Sequence, residues 1–381
     1  MQKILKHWSL GLLALVIISC SSTPKSDQEG VVDQKETVKY SLSDFYSDDS
    51  ELAKKVKEIV DELTVEQQGG QMVVQAAGRL GMPDEHIFQL IKENKIGGVL
   101  LLNGSVNGFK QKVHRFDSAA AEAGILPLIY SSDAEPSLIN RKIKGSKQVP
   151  KTIELNTVAK NIEVAKVISQ ELKNIGILYD YAPVLDISPD NAAIKNRSYG
   201  YNRDSVIAHA SAFANQLQEN GIAATVKHFP GHGLVKGDTH SKLVVIDGDF
   251  QEVDTYKPFI QSGIISVMIG HIAVKNNPAY NTNGLPASCS KEIVTDLLRN
   301  ELGFKGIITT DAMNMGALKE IEHTDFKSIL AGNDIVLMPI DEDILIDQIV
   351  SEAANNKLFA KQVYESVSRI IRLKICLGII K

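Results

Sequence analysis

From Ser50 onward the chain alternates two kinds of hydrophobic pattern. Short runs of consecutive apolar residues predict strands buried on both faces; longer stretches with apolar residues every three or four positions predict amphipathic helices. The strand-like runs are Gln71–Val74, Gly98–Leu102, Pro127–Asp133, Ile177–Asp186, Ala223–Phe229, Ser266–His271, Gly306–Asp311 and Asp334–Pro339. Helical patterns fall between them, at Phe109–Ala123, Val158–Asn174, Asp204–Asn220, Phe250–Ser262 and Lys291–Glu301. Gly97, Gly124, Gly176, Gly221, Gly303 and Gly332 punctuate the helix-to-strand joints, as left-handed helix caps require. Eight such units in one chain predict an α/β fold of the (β/α)8 TIM-barrel type, as one domain. A doubly wound sheet is the alternative, because periodicity alone does not reveal closure.

The strand ends carry a second pattern. Asp133 ends the third strand, Asp186 the fourth, Lys227-His228 the fifth, His271 the sixth and Asp311 the seventh. One such Asp reads as a helix N-cap. Five consecutive strands ending in ionisable residues read as a polar pocket, since barrel sites lie at the C-terminal ends of strands. His271 reads as structural.

Before Ser50 the pattern changes. Lys3 and Lys6 precede an apolar run from Leu10 to Ile18 that ends in Ile17-Ile18-Ser19-Cys20. The run is shorter than the roughly 20 residues a membrane-spanning helix needs and fits a signal peptide over 1–19. Its end resembles a bacterial lipobox, which implies lipidation of Cys20 and a lipid-anchored protein of the cell envelope. Residues 20–49 are polar and aperiodic and read as a flexible tether, with the folded domain over 50–381.

Composition narrows the classes. The 381 residues are 44% hydrophobic and 23% charged, with 41 Lys+Arg against 46 Asp+Glu and no basic cluster. A nucleic-acid-binding role is therefore not expected. The three cysteines, Cys20, Cys289 and Cys376, form neither a disulfide framework nor a zinc spacing.

The candidate chemistry concentrates in one loop, Lys227-His228-Phe229-Pro230-Gly231-His232-Gly233, followed by Asp238-Thr239-His240. Glycines allow a shaped loop, and a carboxylate two residues from an imidazole can orient it and stabilise its charged form. Thr309-Thr310-Asp311-Ala312-Met313-Asn314-Met315-Gly316 places a carboxylate at a buried strand's end. His228-x3-His232 with Asp238 and His240 could be read as a metal set, but the Gly- and Pro-broken segment does not put both histidines on one helix face.

Those motifs, with Ala331-Gly332-Asn333-Asp334-Ile335-Val336-Leu337-Met338-Pro339, resemble glycoside hydrolase family 3. The likeness runs from about Leu63 to Leu377 and is nearest to the single-domain bacterial β-N-acetylglucosaminidases. It implies Asp311 as nucleophile, His240 as general acid/base with Asp238 as its dyad partner, and Asp133, Arg141, Arg197, Lys227 and His228 at sugar-binding positions. It implies no metal and no cofactor. One departure stands out: the family has Glu-Gly-Gly after the strand-three Asp, and here the chain reads Glu135-Pro136-Ser137. Proline fixes φ and lacks an N–H, so this loop must take another shape.

The expected activity is retaining hydrolysis of terminal β-linked N-acetylhexosamine from peptidoglycan fragments or chitooligosaccharides, by a monomeric enzyme. A phosphorylase or β-glucosidase of the same fold, or a non-catalytic sugar-binding lipoprotein, are the alternatives.

Overall fold

The computed structural model describes residues 39–188, 190–235, 237 and 242–381. Eight short parallel strands form one sheet: β1 (Val73–Ala77), β2 (Gly98–Leu101), β3 (Ile129–Ser132), β4 (Tyr179–Asp180), β5 (Ala223–Phe229), β6 (Ser266–Ile269), β7 (Ile307–Thr310) and β8 (Val336–Leu337). Their order is β7-β6-β5-β4-β3-β2-β1-β8. A parallel bridge from Thr309 to Ile335 joins β7 to β8 and brings the sheet round into a barrel. The strands are buried throughout, which is why apolar and small residues dominate them.

Helices clothe the barrel. Ser50–Asp61 shows how: Leu52, Val56 and Val60 recur every four residues and are buried, against the long final helix Lys357–Cys376. Asp49 starts it by accepting the Leu52 N–H.

All eight expected strands are present, with instructive shifts. Gln71 and Met72 lie outside the first strand because Thr64 and Gln67 form a capping box that starts a helix running to Gln71. The fourth strand stops at Asp180, and Pro183 interrupts the ladder. The chain nevertheless follows β5 further, through a bridge from Val184 to Lys227 and the Leu185 N–H on the Lys227 carbonyl at 2.7 Å. The Phe250–Ser262 helix is reduced to a turn at Val253–Thr255 and a short helix, Lys257–Gln261. Pro258 can sit only in a first turn, so no helix can run through it. Val244–Asp247 pairs instead with Ile272–Lys275 in a ribbon outside the barrel.

Five of the six joint glycines have positive φ, between 66° and 110°. Gly97 does not; Asn94 takes the left-handed position (φ 55°). Gly97 is needed for space, because a Cβ there would lie 2.3 Å from the Gln71 carbonyl oxygen.

The packed body starts before Ser50. Tyr40, Leu42 and Phe45 are buried, and Arg372 donates to the backbone carbonyls of Asp44, Phe45 and Ser47. The expected tether through residue 49 is therefore too long. Three apolar side chains in six residues bury enough surface to dock the segment. The signal segment, Cys20 and the rest of the tether up to residue 38 lie outside the described residues.

Candidate active site

A cavity of about 610 Å³ opens at the C-terminal ends of the strands. Asp133, Arg141, Arg197, Lys227, His228 and Asp311 all line it, so six expected site residues converge. Asp238 and His240 lie outside the described residues.

One wall is charged. Asp133, just past β3, accepts Lys227 Nζ on Oδ1 at 2.6 Å and Lys142 Nζ on Oδ2. Burial alone would raise its pKa, but the two ammonium groups hold it well below the usual carboxylate range. Glu135 lies deeper, with 1% of its side chain exposed. It takes Arg197 in a bidentate grip, Nε at 2.8 Å and Nη2 at 2.7 Å, and Lys227 at 2.6 Å. Against the pull of burial, Arg197 and Lys227 lower Glu135 to about 2. Lys227, from the apolar strand β5, is itself almost fully enclosed, and Asp133 and Glu135 keep it charged despite its burial.

The next wall is imidazole. His228 Nδ1 meets Asp186 Oδ2 at 2.5 Å and its Nε2 faces Arg197 at 3.5 Å. An arginine only donates, so Nε2 accepts and Nδ1–H donates to Asp186. Asp186 also accepts the His232 backbone N–H at 2.7 Å. Asp186 thereby ties the end of the β4 segment to the loop after β5. Burial would raise its pKa, but His228 and His232 lower it.

Asp311 follows β7. Its backbone N–H donates to Ile269, and its Oδ1 accepts the Ala312 N–H at 2.8 Å. Burial works to raise its pKa; His228, His271, the Ala312 N–H and Lys227 outweigh it, so the carboxyl is ionised at neutral pH. His271 is fully buried behind it, with Nδ1 on Ser288 Oγ at 2.8 Å and Nε2 on the Ala312 carbonyl at 3.0 Å. It supports the loop that presents Asp311. Leu80, Leu102, Met268, Met315 and Met338 make the facing wall apolar.

The loop leading to residues 238–240 is held from two sides. Asn191 donates to the carbonyls of His232, Gly233 and Val235. Glu252 accepts the N–H groups of Ile187 at 2.7 Å and Leu234 at 3.1 Å. Burial and the nearby Asp186 push Glu252 up to about 8. Backbone packs on backbone here: a Cβ on Gly233 would sit 1.6 Å from the Ile187 carbonyl oxygen, so only glycine fits.

The altered Glu135-Pro136-Ser137 loop is knitted in place. Ser137 Oγ donates to the Asn196 carbonyl at 2.7 Å and accepts the Thr152 N–H at 2.9 Å. Arg141 is exposed at the cavity, and its guanidinium has no hydrogen-bond or ion-pair partner among the described residues. Three residues shape the site without standing among the expected ones, Glu135, Lys142 and Glu252; Asp186 was expected at the pocket as a strand end, without a role. A carboxylate two residues after Asp133 and a lysine beside Arg141 were the available signals; Glu252 had none. Among the described residues no three His, Cys, Asp or Glu side chains converge as a metal site.

Comparison with known proteins agrees with this architecture. The chain is 30% identical over 331 residues to beta-hexosaminidase A of Pseudoalteromonas piscicida, covering 77% of this chain and 55% of that one, so it spans about half of that relative's length. It is 28% identical over 323 residues to beta-hexosaminidase LpqI of Mycobacterium tuberculosis, covering 77% and 80%. A solved family 3 beta-N-acetylglucosaminidase from a Paenibacillus species superposes with a TM-score of 0.76 at 28% identity, over 83% of this chain and 63% of that one. Beta-N-acetylhexosaminidase from Beutenbergia cavernae gives 0.72 at 27%, over 81% and 98%. The model of the glycosyl hydrolase family 3 N-terminal domain matches residues 64–373, and with its barrel and charged C-terminal cavity the chain belongs to glycoside hydrolase family 3.

Proposed function

We propose that the protein is a retaining exo-β-N-acetylglucosaminidase, acting on terminal β-linked N-acetylhexosamine in peptidoglycan fragments or chitooligosaccharides. The observation that carries the reading is Asp311. It is a carboxylate held ionised at the cavity wall and oriented by the Ala312 N–H.

Cleavage of a glycosidic bond needs a nucleophile on one face of the anomeric carbon and a proton for the leaving oxygen on the other. In this reading Asp311 attacks the anomeric carbon, and the bond to the leaving oxygen breaks as His240 gives that oxygen its proton. His240 then takes a proton from water, which attacks the same carbon and releases Asp311. Asp238 orients the imidazole and stabilises its charged form. Asp133 and the cations around it take the sugar hydroxyls.

The test is release of p-nitrophenol from its β-N-acetylglucosaminide and its β-glucoside, with and without phosphate. Faster turnover of the first, unchanged by phosphate, is expected. A preference for the glucoside, or strict dependence on phosphate with a sugar phosphate as product, overturns the reading in favour of the β-glucosidase or the phosphorylase. We propose further that Cys20 carries a lipid that anchors the enzyme in the cell envelope, on the strength of the Ile-Ile-Ser-Cys ending. Cys20→Ser should then lose the acyl mass and the membrane association together; retention of either counts against the anchor.

A further inference from the structure

We infer that Lys142, and not its neighbour Arg141, is the cation of the β3 loop that grips the terminal sugar. The inference rests on the reading of the cavity as a sugar site and names a residue for it. Both side chains leave the one-turn helix Ile139–Lys142, where successive residues point about 100° apart. Lys142 lines the cavity with 13% of its side chain exposed, and its ammonium lies on Asp133 Oδ2. Arg141 also lines the cavity, but it is exposed and has no partner among the described residues that would fix it there.

The two lysines on Asp133 are not equivalent. Lys227 is 2% exposed and is shared by two carboxylates, leaving one of its three protons. Lys142 gives one proton to Asp133 and has two for the cavity. Asp133 is 23% exposed and has a cation on each oxygen, so accepting capacity remains on both. A carboxylate beside an ammonium suits a sugar hydroxyl, which donates to the first and accepts from the second. The loop is pinned in this arrangement by the Ser137 hydroxyl on Asn196 and Thr152, at the point where the chain departs from the family's Glu-Gly-Gly.

The test compares Lys142→Met, Lys142→Arg and Arg141→Ala on p-nitrophenyl β-N-acetylglucosaminide and on analogues lacking the 3-, 4- or 6-hydroxyl. Lys142→Met should lower kcat/KM roughly 10–150-fold, the range for hydrogen bonds to charged groups. Lys142→Arg should restore part of it, and Arg141→Ala should lower it less than Lys142→Met does. One deoxy analogue should lose activity with wild type and lose little more with Lys142→Met, which a merely structural lysine would not produce. A larger loss for Arg141→Ala, or full additivity of Lys142→Met with every deoxy analogue, overturns the assignment. Calorimetric binding of free N-acetylglucosamine gives the same ranking without turnover. A wild type that binds the sugar but cleaves no glycoside would sink the glycosidase reading and still judge Lys142.

Discussion

Two carboxylates, the buried Asp334 and the part-buried Asp133, each lie between two cations, and they differ in what they leave unfilled. Asp334 precedes β8, at the N-terminal end of the barrel. Its Oδ1 accepts Ser366 Oγ at 2.8 Å and Arg369 Nε at 3.0 Å; its Oδ2 accepts Arg299 and the Ile308 N–H, both at 2.8 Å. Four donors fill the roughly four acceptor sites of a carboxylate, and the side chain is fully buried. Asp133, at the opposite end, has only Lys142 and Lys227 and keeps an open face on the cavity. Both have their pKa lowered by neighbouring cations in spite of burial. A perturbed carboxylate is therefore not by itself a functional one; unfilled acceptor capacity facing a cavity separates the two.

Substitution should break the pair apart. Asp334→Asn leaves two guanidinium groups without a counter-charge and should cost about 3–5 kcal/mol of stability in denaturant melts, with kcat and KM of the folded fraction unchanged. Asp133→Asn should lose only about 1–2 kcal/mol of stability, because Lys227 keeps Glu135 and Lys142 reaches the cavity. It should instead lower kcat/KM about 100-fold. Reversed outcomes would erase the distinction.

Acid titration sharpens it further, with a smaller effect. Glu135 lies at about 2 in the folded protein against an ordinary 4.5. A depressed carboxyl contributes stability that is fully present above about pH 4.5 and is lost as pH falls toward about 2. Glu135→Gln should therefore flatten the fall of Tm between pH 4.5 and 2 without touching the Asp334 contribution. An unchanged acid limb would mean that Glu135 is not held by Arg197 and Lys227.

The sequence made some of this legible and hid the rest for physical reasons. Ala223–Phe229 matches its strand residue for residue, and it is buried along its whole length even where Lys227 and His228 interrupt the apolar residues. The ribbon of Val244–Asp247 with Ile272–Lys275 was missed, since pairing of residues 28 apart leaves no local pattern. Asp133, Lys227, His228 and Asp311 were legible because strand ends announce a barrel's rim, whereas Arg197 lies in a loop and came from the family resemblance. Glu252 was not, since a carboxylate bonded to backbone N–H groups has no sequence partner to point to it. Arg141 and Lys142 are adjacent cations, and only the helix turn decides which one reaches Asp133. Asp311 and Asp334 were already distinguished in sequence, one at the end and the other at the start of an apolar run.

The central claim is that Asp311 forms the covalent intermediate, and mass spectrometry tests it most directly. The protein would be incubated with a fluorinated N-acetylglucosaminide carrying a good leaving group, whose fluorine slows breakdown of the glycosyl-enzyme. Digestion should place one sugar mass on Asp311, within Gly306–Ala317, and none on Asp334 or Asp133. Asp311→Asn should carry no label and show no turnover. A label on another carboxylate, or unlabelled protein with turnover that inverts the anomeric centre, would contradict the account.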